Sequence, residues 1–145
     1  MSGSGKKLRL TITTPERLAL DRDVDSVVIP AARGQLGVLP GHLPFMVELS
    51  AGVLKIRSDD ERDFFAISGG FAEIKRDSVA IFAETAELSD EIDVERARQA
   101  LERARNEAHR KALEPLTLFQ AEAEALRAAV WLRVAQLRKT PRKPR

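Results

Sequence analysis

Apolar and polar side chains alternate through the first half of the chain and fall at helical spacing in the second. Leu8-Arg9-Leu10-Thr11-Ile12-Thr13 puts every second residue on one side, the pattern of a half-buried strand. Pro15 ends that strand or leaves it at an edge. Short strand candidates follow at 18–20, 24–29, 37–39, 45–49 and 52–56. Asp59-Asp60 reads as a hairpin turn into Asp63-Phe64-Phe65-Ala66-Ile67. Ser68-Gly69-Gly70 reads as a turn or bulge before a strand at 71–75. The polar turn Arg76-Asp77-Ser78 leads to another at 79–83. Strands this short and this evenly spaced predict an antiparallel sandwich or barrel.

The period then changes from two to 3.6. Asp93 is a good helix N-cap, since its carboxylate can accept the unpaired amides of a first turn. Val94, Ala97, Leu101, Ala104 and Ala108 share one stripe. Pro115 breaks the pattern, and Leu116 or Leu118 resumes it through Phe119, Ala123, Leu126, Val130, Val134 and Leu137. Alanines facing across the two stripes would let the helices approach closely. The fold class is therefore α+β in two parts: an N-terminal antiparallel β-sandwich over 1–88, then a C-terminal antiparallel α-helical hairpin over 89–137, hinged around 114–117. Residues 138–145 form a tail too basic and proline-rich to fold alone.

Between two of the strand candidates, residues 29–44 hold three of the eight glycines and three of the seven prolines. Glycine permits positive φ and proline removes a ladder donor, so the stretch reads as a shaped turn system at the rim of the sandwich. The net charge of +2 hides a division: 1–92 carry 11 basic and 15 acidic side chains, and 93–145 carry 13 and 7. The basic part suits an acidic protein surface, a nucleotide, nucleic acid or anionic lipid. No cysteine occurs, which removes disulfide and thiolate chemistry. No apolar run approaches the ~20 residues of a membrane span. The first seven residues lack the apolar core of a secretory signal and read as a flexible lead.

No catalytic constellation stands out. There is no phosphate loop and no nucleophile elbow. His42 and His109 fall in different elements with no cysteine beside them, which argues against a metal site. Ile92-Asp93-x-x-Arg96-Ala97 carries more chemistry. Arg103 lies two turns beyond Arg96 on the same face; an arginine pair can grip phosphate, and a nearby carboxylate can accept from an amino or hydroxyl group. The plainer alternative makes Asp93 a cap and both arginines solvated surface. Nucleic acid is a poor partner, because the only aromatics of the basic half, Phe119 and Trp131, fit the packing pattern.

Ile29-Pro30 with Gly34-Gln35-Leu36-Gly37-Val38-Leu39-Pro40-Gly41-His42 resembles the N-terminal signature of the epsilon subunit of F-type ATP synthases. Ile67-Ser68-Gly69-Gly70-Phe71, Ala83-Glu84-Thr85-Ala86-Glu87 and Ile92-Asp93-Val94-Glu95-Arg96-Ala97 agree, in the family's order and spacing, over about 8–137. The resemblance implies a non-catalytic central-stalk subunit on the cytoplasmic face of the bacterial inner membrane, with the sandwich coupling the gamma subunit to the c-ring. The rim stretch would face the c-ring, with Arg33, Gln35 and His42 as contacts, and one sandwich face would pack on gamma.

The same resemblance implies no required cofactor but ATP as a regulatory ligand that holds the hairpin down. Its residues here would be Glu87, Ile92, Asp93, Arg96, Ala97 and Arg103. The family also uses two basic residues of the second helix, one turn apart. Arg133 takes one of these positions and Ala129 the other, unless the register differs and Arg127 stands in. An extended hairpin would meet the alpha and beta subunits through Arg127, Arg133, Arg138 and Lys139. The residues taken alone also allow a freestanding nucleotide sensor, or a polyanion-binding module resting on the tail.

Overall fold

The computed structural model describes residues 5–110 and 115–137. Ten strands precede two helices: β1 Leu8–Thr13, β2 Leu18–Val24, β3 Ser26–Ala31, β4 Gly34–Val38, β5 Phe45–Leu49, β6 Gly52–Ser58, β7 Glu61–Ile67, β8 Gly70–Ile74, β9 Ser78–Ala83 and β10 Ala86–Leu88. A 3-10 turn, Ser89–Glu91, leads to α1 Val94–Arg110 and α2 Pro115–Leu137. The tail with Arg138 and Lys139, the lead 1–4, and the first residue of the expected hinge lie outside the described residues.

One layer is the set β4, β3, β6, β7 and β10; the other is β5, β8, β9, β1 and β2. They join at a corner where β3 meets β5 through a single pair, Ala31 with Leu49. Each strand sends alternate side chains between the layers, as the period of two requires. Leu8, Leu10, Ile12, Val24, Ile74, Val79 and Ile81 come from one side; Val27, Ile29, Leu54, Ile56, Phe65 and Ile67 from the other. These side chains are buried essentially completely.

Two local expectations hold. Asp59 and Asp60 make the tight turn between β6 and β7, with Asp59 at φ 55, a left-handed conformation that aspartate tolerates. The Gly69-Gly70 turn is dictated by space: a Cβ on Gly70 would lie 2.0 Å from the Phe82 carbonyl oxygen, and its φ is +123°. Only glycine lets β8 approach β9 this closely at that backbone angle.

Three expectations need correction. The sandwich is antiparallel in every ladder but one, since β1 runs parallel to β9, Arg9 facing Ser78 and Thr13 facing Phe82. A parallel pair needs a long crossover, and the whole intervening chain supplies it. The 29–44 stretch is also more regular than a turn system. Its first part is the β3–β4 hairpin with Ala32-Arg33 at the tip, and Gly34 takes the φ of +128° that the turn needs. Pro30 sits inside β3, where its carbonyl accepts from the Ser50 amide at 2.9 Å.

The third correction concerns α2. Phe119 and Leu126, expected on the packed stripe, are 73% and 60% exposed, and of the two alternatives for its start Leu118 is half-buried while Leu116 is 78% exposed. Val134, also on that stripe, is buried as expected, and Ala121 and Ala135 from outside it are buried with it. The helix is apolar on several sides, so small side chains that permit close approach to α1 win the inner face over larger ones. On α1 the expected stripe holds, with Ala97 and Leu101 buried. Through α2 the hairpin rests on β6, β7 and the 3-10 turn.

Candidate functional site

A cleft of about 490 Å³ opens where the hairpin meets the sandwich. The last strand and the turn after it supply Thr85, Glu87, Glu91, Ile92 and Asp93; α1 supplies Arg96, Ala97, Ala100 and Arg103; α2 supplies Arg127, Ala128 and Trp131. A second space of about 430 Å³ continues outward between the helices and shares Ala100, Arg103, Arg127 and Ala128 with the first.

Seven of the eight expected nucleotide residues line this cleft: Glu87, Ile92, Asp93, Arg96, Ala97, Arg103 and Arg127. Arg133 does not. It is exposed and lies six residues beyond Arg127, on another face of α2. The register that brings Arg127 inward is the one adopted, and the cleft residue one helical turn further on is Trp131. The sequence hid this partner because the expected pattern asked for a cation there. Spacing of four from Arg127 is the signal that could have found it.

The three carboxylates of the cleft are engaged. Asp93 Oδ1 accepts from the amides of Glu95 at 2.9 Å and Arg96 at 3.2 Å, the cap that starts α1. Glu91 pairs with Arg17 from the β1–β2 turn at 3.2 Å. Glu87 Oε1 accepts from Trp131 Nε1 at 2.9 Å, tying β10 to α2. By contrast, Arg96, Arg103 and Arg127 enter no ion pair among the described residues. Three exposed guanidinium groups thus line a cleft whose acids have other partners, which leaves their N–H groups open to an anion's oxygens.

At the edge of the layer opposite β10, Arg33 and Gln35 are exposed around the β3–β4 tip. His42 is half-buried, its ring 5.0 Å from that of Phe45. Among the described residues no group of acids and histidines could hold a metal, and no helix is long and apolar enough to cross a membrane.

Two family models cover nearly all of the chain. The β-sandwich domain of the ATP synthase delta/epsilon chain matches 7–89, and its long α-helix domain matches 90–136. The chain belongs to the epsilon subunit family of F-type ATP synthases. Among its relatives, the ATP synthase epsilon chain of Moorella thermoacetica is 46% identical over 88% of this chain and 96% of that one. That of Halalkalibacterium halodurans is 39% identical over the same shares. A chain in the Euglena gracilis mitochondrial ATP synthase, solved as OSCP, F1 and c-ring, superposes with a TM-score of 0.77. It is 28% identical and covered to 86%, against 93% of this chain. A chain of the Tetrahymena thermophila central stalk and c-ring shares the fold alone, at 16% identity and TM-score 0.59, over 90% of this chain and 99% of that one. As an epsilon subunit, the chain is a non-catalytic part of the central stalk of a rotary ATP synthase.

Proposed function

We propose that this epsilon subunit couples gamma to the c-ring at the cytoplasmic face of a bacterial inner membrane, and that ATP in the cleft holds its hairpin against the sandwich. The observation that carries the ligand reading is the set Arg96, Arg103 and Arg127, which share the cleft and enter no ion pair among the described residues. A polyphosphate can accept from guanidinium groups of both helices at once, so binding favours the folded hairpin over an open one. In the open form Arg127 and Arg133 become available to acidic surface on alpha and beta subunits.

The sandwich supplies two further surfaces. Arg33, Gln35 and His42 at the rim face the polar loops of the c-ring. On the outer face of β5, β8 and β9, Phe71 stacks on Phe82 at 5.1 Å with Met46 nearby, all exposed. An exposed apolar patch on a rigid sheet suits a permanent protein neighbour, and gamma is the partner assigned to it.

Titration of the full chain with ATP, followed by calorimetry and by the emission of Trp131, tests the ligand reading. Saturable binding is expected, weakened about tenfold or more in Arg103→Ala and in Arg127→Ala. Binding unchanged in both variants, or none in the wild type at millimolar ATP, would overturn it. Phe71→Glu should abolish co-purification with gamma while leaving ATP binding intact.

A further inference from the structure

We propose that Trp131 is a ligand-binding residue of the cleft, its indole forming the wall against which a purine base lies, with Glu87 as the positioning residue that holds it there. The inference rests on the nucleotide reading above and adds which part of the nucleotide is recognised and by what.

The two connected spaces differ in character. Arg103 and Arg127 belong to both, so these two cations mark the junction between the helices, while Arg96 lines the inner space alone. Only the inner space has Ile92, Ala97 and Trp131, beside β10 and the 3-10 turn. The sandwich end also carries the carboxylates Glu87, Glu91 and Asp93, which repel phosphate, so a ligand filling the cleft turns its anionic part outward to Arg103 and Arg127 and its uncharged part to Ile92, Ala97 and Trp131. Among common metabolites a nucleotide has that division, with a flat base at one end and phosphates at the other. A volume near 490 Å³ lies within the ordinary range for such ligands.

Trp131 is suited to the base. It stands one turn from Arg127 on the same face of α2, so one helix presents a phosphate ligand and an aromatic plane together. The indole is half-buried, and its one donor is spent on Glu87 at 2.9 Å, across the joint between sandwich and hairpin. That bond fixes the ring at its polar edge, and a ring held before the ligand arrives loses less freedom on binding. Stacking on an aromatic plane reads the presence of a base, which a bare polyphosphate lacks.

The test compares ATP with inorganic tripolyphosphate on the full-length chain, by calorimetry, in the wild type, Trp131→Ala, Trp131→Phe and Glu87→Ala. The wild type should prefer ATP. Trp131→Ala should lose about tenfold or more in ATP affinity and change tripolyphosphate binding by about twofold or less. Trp131→Phe keeps an aromatic plane without the donor and should retain most of the preference, which guards against misfolding of the alanine variant. Glu87→Ala should weaken ATP less than Trp131→Ala does and shift the Trp131 emission maximum before ligand is added. Equal losses for both ligands in Trp131→Ala, or full loss of preference in a folded Trp131→Phe, would overturn the role of the ring. Equal wild-type affinity for the two ligands would sink this inference and leave the anion site standing. No wild-type binding of either would remove both.

Discussion

The sandwich and the hairpin are packed from different side chains. Between the two sheet layers lie large aliphatics, Leu8, Leu10, Ile12, Ile29, Leu54, Ile56, Ile67 and Ile81, all closed off from water. In the hairpin the buried set is Ala97, Leu101, Ala121, Val134 and Ala135, and Leu116, Phe119 and Leu126 are exposed. Apolar burial stabilises in proportion to area, about 25 cal/mol per Å². An alanine seam therefore holds far less tightly than a leucine and isoleucine core. The hairpin depends more on contacts outside its own seam, of which the Trp131–Glu87 bond is one.

Three substitutions or titrations would break or sharpen that contrast. The largest effect is expected from Gly70→Ala. The new methyl would meet the Phe82 carbonyl at a backbone angle that side chains avoid, so the sandwich should lose about 4 kcal/mol or more. Thermal unfolding followed by circular dichroism would show it; a melting point within a few degrees of wild type would contradict the close-approach account.

Leu101→Ala comes next, at about 2 kcal/mol, the low end for a leucine because the site is near the surface. Hydrogen exchange should quicken through α1 and α2 and stay unchanged in β8 and β9. Acceleration in both regions alike would mean that the two parts unfold together.

The smallest effect is pH-dependent. Asp25 accepts from Lys7 Nζ at 2.6 Å and from the Asp59 amide at 2.5 Å, and these bonds hold its carboxyl below the usual range. Asp25 and Asp59 in turn raise Lys7. The depressed carboxyl contributes stability that is present above its unfolded value near 3.8 and is lost as pH falls through the folded value. The raised lysine contributes below its unfolded value of 10.5 and is lost as pH climbs through the folded one. Stability of the sandwich should thus be flat near neutrality and fall at both extremes. Asp25→Asn should shallow the acid limb in denaturant titrations run at several pH values, and an unaltered limb would rule the cluster out as its cause.

Much of this was legible in the sequence where the cause is local. The alternation in β1, the Asp59-Asp60 turn and the Asp93 cap each depend on a few adjacent residues, and each formed as expected. Pro30 misled because its missing donor costs nothing where the carbonyl, rather than the amide, joins the neighbouring chain. The inner face of α2 was illegible for a different reason. When apolar residues surround a helix, period alone cannot choose a side, and the choice falls to what α1 offers. That same rotation decided Arg127 over Arg133 in the cleft and brought Trp131 in with it. The β1–β9 ladder was beyond local reading altogether, since its two strands are set side by side only by the finished sheet.

That ladder also bears on how the chain comes to be folded. Until Ser78–Ala83 exist, the first strand has β2 as its neighbour and nothing on its other side. An incomplete chain on a ribosome would carry the apolar face of β1 uncovered through most of the synthesis of the domain, and long-range pairings of this kind close slowly. The acidic side chains Asp21 and Asp23, held to Arg9 across the β1–β2 hairpin at 2.7 and 3.4 Å, give that waiting segment a charged outer surface. A strand that must wait for its partner is thereby kept from pairing with the wrong one.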